Sequence, residues 1–397
     1  MGTGIAMTFA GASIGVTVID AASDALDRAR RTIERTYAAQ LEKGRIDAGE
    51  RDARIGRIAF AGAIGAAAGA DVAIEAIFED LDLKRGLFAR LGAIVPADAL
   101  LATNTSTLDV DAIAAAAPHP ARTLGMHFFS PAHLMPLLEI VRGAKTSPAA
   151  IAAAVGLGKR LGKIPVVVGN CDGFVGNRML LGYRREAEFL VLAGATPVQV
   201  DAALEHFGFA MGPFAVADLA GIDVGWRAKH ERIKRGTAPP FVVSDLPDAL
   251  VAAGRLGQKA GKGWYRYEPG DRTRHHDPEV DAIVGAERGR LGVAQRAIDD
   301  EEIVERCVYA LINEGARILE EGVAASAADV DTIWLNGYGF PKARGGPMRY
   351  ADDVGLPKVL AAIKRFADRD PAFWRPARLL VSLAESGRGF GDDRKVD

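Results

Sequence analysis

In the first part of the chain, short runs of β-branched residues alternate with helical stretches, and this alternation limits the possible folds more than any other feature. Strands are predicted at residues 16–20, 71–76, 100–103, 123–129 and 164–168. Helices are predicted between them, at residues 2–13, 24–44 and 82–95. Strands separated by helices form βαβ units and a parallel sheet. We therefore expect an α/β domain with a doubly wound, Rossmann-like sheet.

From about residue 170 the pattern becomes helical, punctuated by Gly and Pro, and the sequence repeats itself. The first copy contains Val200-Asp201, Gly208-Phe209, Gly212-Pro213 and Asp218, and the second contains Val330-Asp331, Gly339-Phe340, Gly346-Pro347 and Asp352. Two such helical units can pack together and share a core. The predicted domains are a nucleotide-binding domain at residues 1–169 and two helical repeats at 170–275 and 276–397.

Composition excludes several classes of function. The chain carries 49 Lys+Arg and 51 Asp+Glu without basic blocks, which argues against a nucleic-acid partner. No strongly apolar run is long enough to span a membrane, and no signal peptide or peroxisomal C-terminal tripeptide is recognisable. Cys171 and Cys307 are far apart, which excludes a disulfide framework and a cysteine zinc site. The two distant cysteines fit a reducing compartment, so we expect a cytoplasmic protein. We expect no metal, because the pair His275-His276 lies in a polar linker.

The N-terminal residues resemble part of a dinucleotide-binding unit. Such a unit needs a strand, a glycine-rich turn, a helix, and an acid that ends the second strand and binds the ribose hydroxyls. Asp20 ends the strand after the first helix, and no Arg follows it at once, which favours NAD over NADP. The alternative is that Asp20 is a surface acid. The first strand and the first two glycines are absent, because the sequence begins just before Gly2. We expect the natural protein to extend upstream, and a sheet without that strand to lack a central member.

Four short sequence segments are similar to those of a known family: Asn104-Thr105-Ser106, GMHFFSP at residues 125–131, LEIV at 138–141 and GFVGNR at 173–178. Together, in this order and at these distances, they closely resemble the L-3-hydroxyacyl-CoA dehydrogenases of fatty-acid β-oxidation. The repeated helical half resembles the dehydrogenase portion of the large bifunctional enzymes, in which an enoyl-CoA hydratase domain comes first. The resemblance covers essentially the whole chain, and no hydratase portion is recognisable in it.

The residues in these strings suit the oxidation of an alcohol. His127 can take the hydroxyl proton, because imidazole titrates near neutral pH. Glu139, 12 residues later, can return to the same site from a strand or a helix and stabilise the imidazolium. Ser106 can bind the substrate oxygen, and Asn177 can donate to the substrate carbonyl. The alternatives are a core histidine at 127, a buried structural acid at 139 and a helix N-cap at 177.

The resemblance assigns the same catalytic roles and adds further contacts. It implies that Ser106 also contacts the cofactor, and that Glu79 and Lys84 lie on the nicotinamide side. The alternative for those two is a surface charge pair. It also implies that Met1 lies against the cofactor in the turn before Gly2. Ser130 stands where many relatives carry Asn, so a substrate contact through an amide there is in doubt.

We therefore expect NAD-dependent oxidation of (3S)-3-hydroxyacyl-CoA to 3-oxoacyl-CoA. The alternatives are a non-catalytic remnant or interaction module, and a dehydrogenase of a small hydroxy acid without CoA. An acyl-CoA thioester is the expected substrate. Large helical faces in the second half favour self-association into a homo-oligomer, and the sequence leaves open whether a hydratase or a thiolase is a partner.

Overall fold

The computed structural model describes residues 1–392, which form two compact units. The first unit contains residues 1–175 and 322–325, and the second contains residues 176–321 and those from 326 onward. Within the described residues, no helix combines the length and the apolar character needed to cross a bilayer.

The first unit alternates strands with helices, as the sequence predicts. Its strands are β1 (Val16–Ile19), β2 (Ile58–Ala61), β3 (Val72–Glu75), β4 (Leu100–Thr103), β5 (Thr123–Phe128), β6 (Leu137–Arg142) and β7 (Ile164–Gly169). Its helices are α1 (Gly2–Gly11), α2 (Ser23–Glu42), α3 (Ala48–Gly56), α4 (Leu81–Gly92), α5 (Val110–Ala114) and α6 (Pro148–Arg160).

The strands form two separate sheets. One contains β1 and β2, and the other has the order β3-β4-β5-β6-β7. All pairs are parallel except β5 and β6, so the expected parallel sheet is confirmed and contains one antiparallel pair. Within residues 1–392 no strand pairs with both β1 and β3.

Helices cover both faces of the larger sheet, which confirms the doubly wound architecture. On one face, α1 and α6 contribute Ile5, Phe9, Ala150 and Ala154 to a core with Leu124, Met126 and Ile140. On the other face, α4 and α5 contribute Phe88, Leu91 and Ile113, which pack around Leu101. Every residue of β4 and β5 is buried, and so is β6 up to Val141. The last residues of β4 and β5 are therefore fixed by packing from both sides.

The second unit is helical and consists of α7 (Gly176–Ala193), α8 (Pro197–Phe207), α9 (Pro213–Ala220), α10 (Ile222–Arg235), α11 (Leu246–Ala252), α12 (Pro278–Leu291), α13 (Asp300–Glu320), α14 (Ala327–Gly337), α15 (Pro347–Val354), α16 (Leu356–Ala367) and α17 (Arg378–Ser386). The first copy of the sequence repeat falls on α7, α8 and α9, and the second copy falls on α13, α14 and α15.

The two copies share a buried capping contact. The Asp201 carboxylate accepts hydrogen bonds from the backbone N–H groups of Phe214 and Ala215, in the first turn of α9. The Asp331 carboxylate accepts the equivalent bonds from Met348 and Arg349, in the first turn of α15. A carboxylate satisfies the unpaired N–H groups of a helix start and favours its dipole.

Candidate active site

His127 and Glu139 face each other across the antiparallel pair of β5 and β6. They are directly opposite in the register, and His127 Nδ1 lies 2.8 Å from Glu139 Oε2. The Glu139 side chain is fully buried, and that of His127 is 8% exposed. The sequence left open whether Glu139 lies on a strand or on a helix, and the structure places it on strand β6. With Nδ1 bound to the carboxylate, the imidazole can accept a proton on Nε2.

Aromatic rings and one amide hold the end of β5. The His127 ring lies 4.5 Å from that of Phe129 and 5.7 Å from that of Phe174. The backbone N–H of Phe128 donates to Asn104 Oδ1 at 2.8 Å, which ties this strand to the loop after β4. Asn104 has a positioning role that the sequence analysis missed, although the residue belongs to one of the strings it singled out.

Ser106 and Glu79 meet where the parallel strands β3 and β4 end. Glu79 Oε1 accepts hydrogen bonds from Thr105 Oγ1 at 2.6 Å, from Ser106 N at 2.8 Å and from Ser106 Oγ at 3.2 Å. Burial raises the pKa of Glu79, but the Lys84 ammonium and the bonds from Thr105 and Ser106 outweigh it and hold this pKa below its usual value. Glu79 is therefore an ionised carboxylate that accepts bonds from the loop containing Ser106.

Lys84 lies beneath this contact instead of on the surface. Its side chain is only 1% exposed, and Nζ lies 2.7 Å from Glu75 Oε1 and 3.3 Å from Glu79 Oε2. Thr103 Oγ1 donates to the other oxygen of Glu75 at 2.7 Å. The interpretation of Glu79 and Lys84 as a surface pair was wrong, because the Lys84 side chain is buried. In sequence, a charge pair at a helix start looks the same whether it is buried or exposed. Glu75 and Thr103 were missed for the same reason.

Met1, Gly2 and Asp20 are at the nucleotide end of the first unit. Met1 precedes α1, is 45% exposed and makes no side-chain cap to the helix. A Cβ on Gly2 would lie 3.8 Å from Ala76 Cβ, so the first turn of α1 lies beside the end of β3. Asp20 directly follows β1, is exposed and accepts a bond from Ala22 N at 2.9 Å. Uncapped N–H groups at a helix start can bind a pyrophosphate.

Two predicted residues remain, Ser130 and Asn177. Ser130 is exposed, shortly after β5. Asn177 belongs to the second unit and is the second residue of α7, so the interpretation as an N-cap was wrong. Its Oδ1 accepts a bond from the Tyr338 hydroxyl at 2.9 Å. Within residues 1–392 no cluster of three or more His, Cys, Asp or Glu side chains could hold a metal ion.

Comparison with protein families gives two matches that together cover most of the chain. Residues 1–171 match the family described as "3-hydroxyacyl-CoA dehydrogenase, NAD binding domain". Residues 173–267 and 303–392 match "3-hydroxyacyl-CoA dehydrogenase, C-terminal domain".

Similar curated proteins include the peroxisomal bifunctional enzyme of Danio rerio, which is 44% identical over 404 residues, or 98% of this chain and 55% of the relative. The fatty acid oxidation complex subunit alpha of Pseudomonas putida is 35% identical over 394 residues, or 98% of this chain and 54% of the relative. The chain thus spans about half the length of these relatives.

Solved structures give the same result. A 3-hydroxybutyryl-CoA dehydrogenase from Escherichia coli matches with a TM-score of 0.84 and 28% identity, over 98% of this chain and 97% of the other. The dehydrogenase part of multifunctional enzyme 1 from C. elegans matches with a TM-score of 0.68 and 30% identity, over 96% and 86%.

Proposed function

This chain belongs to the 3-hydroxyacyl-CoA dehydrogenase family, and we propose that it oxidises (3S)-3-hydroxyacyl-CoA thioesters to 3-oxoacyl-CoA with NAD as the hydride acceptor. The observation that carries this proposal is the buried His127–Glu139 pair at 2.8 Å. A base paired with a buried carboxylate is what removal of a hydroxyl proton requires. The reaction suits a place in fatty-acid β-oxidation.

In the proposed mechanism, His127 Nε2 takes the proton of the 3-hydroxyl group as the carbonyl bond forms. Glu139 stabilises the imidazolium, because its carboxylate is already oriented toward Nδ1 and its side chain is fully buried. Ser106 binds the substrate oxygen, and the Asn177 amide donates to the thioester carbonyl. Ser130 keeps a hydroxyl donor for a further substrate contact.

The first unit also has features that suit NAD, which accepts the hydride from C3 when bound. We propose that the first turn of α1, with Met1 and Gly2, binds the pyrophosphate and that Asp20 binds the ribose hydroxyls. Glu79 and Ser106 form the nicotinamide side. Because Lys84 is buried, we propose that it contributes by holding Glu79 in place.

Reduction of acetoacetyl-CoA by NADH tests the proposal. We expect turnover with the thioester and none with free acetoacetate. His127→Ala and Glu139→Gln should each lower kcat by roughly 10²- to 10⁴-fold, the usual contribution of general acid–base catalysis. His206→Ala changes an exposed histidine of α8 and should leave the rate unchanged. Near-normal turnover in the first two variants would contradict the mechanism.

Calorimetric titration with NADH separates the enzyme from a non-catalytic remnant. We expect binding in the micromolar range. A protein that neither binds NADH nor turns over the thioester would favour an interaction module instead.

Partners and location are further proposals. The substrate of this reaction is the product of hydrating a 2-enoyl-CoA, and its product is suited to thiolysis, so a hydratase or a thiolase is the expected partner. We propose a cytoplasmic location, supported by Cys171 and Cys307, which are not joined in a disulfide. Since relatives include enzymes named peroxisomal, cell fractionation is the test. Light scattering on the purified protein tests self-association.

A further inference from the structure

A hydrogen bond inside the helical unit connects the two sequence repeats at Asn177. Tyr338 Oη donates to Asn177 Oδ1 at 2.9 Å. Asn177 lies in the first turn of α7, whereas Tyr338 directly follows α14. The first repeat therefore supplies the amide, and the second repeat contacts its oxygen from a position 161 residues later in the chain.

Packing fixes the tyrosine ring beside the start of α7. The ring stacks on Trp334 with 4.8 Å between centroids and 25° between planes. Trp334 is itself buried, and its Nε1 lies 3.1 Å from Sδ of Met179, also in α7. A Cβ on Gly176 would lie 2.3 Å from the Tyr338 ring, so the ring occupies space that only glycine leaves open. The hydroxyl group is thus held at a defined position next to Asn177.

The orientation of this amide has a chemical consequence. An asparagine side chain has an acceptor oxygen and a two-proton donor nitrogen, and a half-turn about its last torsion exchanges them. A hydroxyl that donates to Oδ1 favours one orientation, in which Nδ2 lies on the side away from Tyr338. That orientation directs the Nδ2 N–H groups away from Tyr338, whereas in the reversed one Nδ2 would face the tyrosine hydroxyl.

We propose that Tyr338 is a positioning residue that orients the Asn177 amide so that Nδ2 donates to the thioester carbonyl of the substrate. This inference rests on the proposed function, which gives Asn177 its substrate. It assigns the second repeat a part in the reaction, through a tyrosine that acts on the Asn177 amide.

Kinetics of Tyr338→Phe test the proposal, because this variant removes the hydroxyl and keeps the ring. We expect kcat/KM for acetoacetyl-CoA to fall roughly 3- to 10-fold, as for the loss of one hydrogen bond. KM for NADH and the thermal midpoint should not change. Tyr350→Phe is the matched control, since that ring packs on Phe207, at 5.1 Å between centroids, in the same unit.

A double mutant separates positioning from a general structural role. In the Asn177→Ala background, Tyr338→Phe should cause no further loss, because the amide through which it acts is gone. An equal loss in both backgrounds would overturn the proposal.

A measurement without turnover distinguishes failure of this inference from failure of the proposed function. The chain has five asparagines, at positions 104, 170, 177, 313 and 336. In protein labelled with ¹⁵N-asparagine, the side-chain NH₂ signals of Asn177 are assigned by their loss in Asn177→Ala. They should shift in Tyr338→Phe and stay in place in Tyr350→Phe. Unchanged signals in Tyr338→Phe would overturn the inference. A shift in a protein that does not reduce acetoacetyl-CoA would instead overturn the proposed function, and with it the donor role of Asn177.

Discussion

Glu75 and Glu139 are both carboxylates without exposed side-chain surface, and each faces a basic group at hydrogen-bond distance. A buried charge is costly unless it is paired, so each carboxylate needs its partner. The partner of Glu139 is His127, whose charge depends on a proton, so this pair can respond to proton transfer. The partner of Glu75 is the ammonium of Lys84, which makes this pair a fixed support for Glu79 and the Ser106 loop.

Replacing Glu75 should therefore affect stability and cofactor binding together. Glu75→Gln leaves the Lys84 ammonium buried with only Glu79 nearby, and we expect a loss of roughly 3–5 kcal/mol in the free energy of unfolding. KM for NADH should rise as the Glu79–Ser106 contact loosens. Urea unfolding and steady-state kinetics measure the two effects.

The double variant Glu75→Gln/Lys84→Met provides the control, because it removes both charges. It should be more stable than Glu75→Gln alone, since no unpaired ammonium remains. Strictly additive losses would show that the two side chains do not act as a pair. Glu34→Gln, an exposed site on α2, should change neither stability nor KM.

Among the elements, those with a strong periodic pattern were predictable, and those defined by a distant partner were not. The strands at 16–19 and 100–103 and the helix at 23–42 lie where the sequence places them. β6 could not be distinguished from a helix, because an apolar run such as 137–141 suits either, and only its pairing with β5 decides. β2 was missed because Ile58–Ala61 is short and half alanine.

The same limit applies to the site. His127, Glu139 and Ser106 were found from short strings, whereas Lys84 and Tyr338 required knowledge of burial and of contacts between distant segments. No local pattern distinguishes a buried lysine from a solvated one, and none connects residues 161 positions apart. The repeat could be recognised in the sequence, because both copies contain the aspartate, Asp201 or Asp331, that caps the next helix.

Those capping aspartates make stability depend on pH. Burial raises the pKa of Asp331 to about 7, despite its bonds from Met348 and Arg349, and that of Asp201 to about 6. The folded state therefore holds protons that the unfolded chain releases near pH 4, so this contribution to stability is complete below that pH and is lost as the pH rises through 6 and 7.

We expect wild type to lose stability relative to Asp331→Asn between pH 5 and 8, by on the order of 2–4 kcal/mol, since one pKa unit corresponds to about 1.4 kcal/mol. The Asn side chain has only one acceptor oxygen, so one of the two backbone bonds to position 331 is lost. This loss lowers the free energy of unfolding by an amount that does not depend on pH. Urea unfolding at several pH values measures the slope. Asp353→Asn, at an exposed position of α15, should follow wild type. A difference between wild type and Asp331→Asn that is constant with pH would contradict the raised pKa.

For the whole molecule, a cofactor that binds only the folded first unit must stabilise it against unfolding. At a concentration of 100 times Kd, such a ligand adds about 2.7 kcal/mol. For a unit of this size that corresponds to a rise of roughly 5–10 °C in the unfolding midpoint. Because Asp20 is proposed to bind the ribose hydroxyls, its carboxylate should repel the 2′-phosphate of NADPH. We therefore expect NADH to raise the midpoint of the wild-type protein and NADPH to raise it much less.

Asp20→Asn tests the origin of this difference, because it removes the charge with little change in size. The NADH shift should shrink and the NADPH shift should grow, so that the two cofactors become similar. Asp24→Asn removes the same charge four positions later, in the first turn of α2, and should keep the wild-type preference. If NADPH stabilises wild type as strongly as NADH, or if Asp24→Asn changes the preference as much as Asp20→Asn, then the carboxylate at position 20 does not select the cofactor. If Asp24→Asn does change the preference as much as Asp20→Asn, the net charge of the region is the cause.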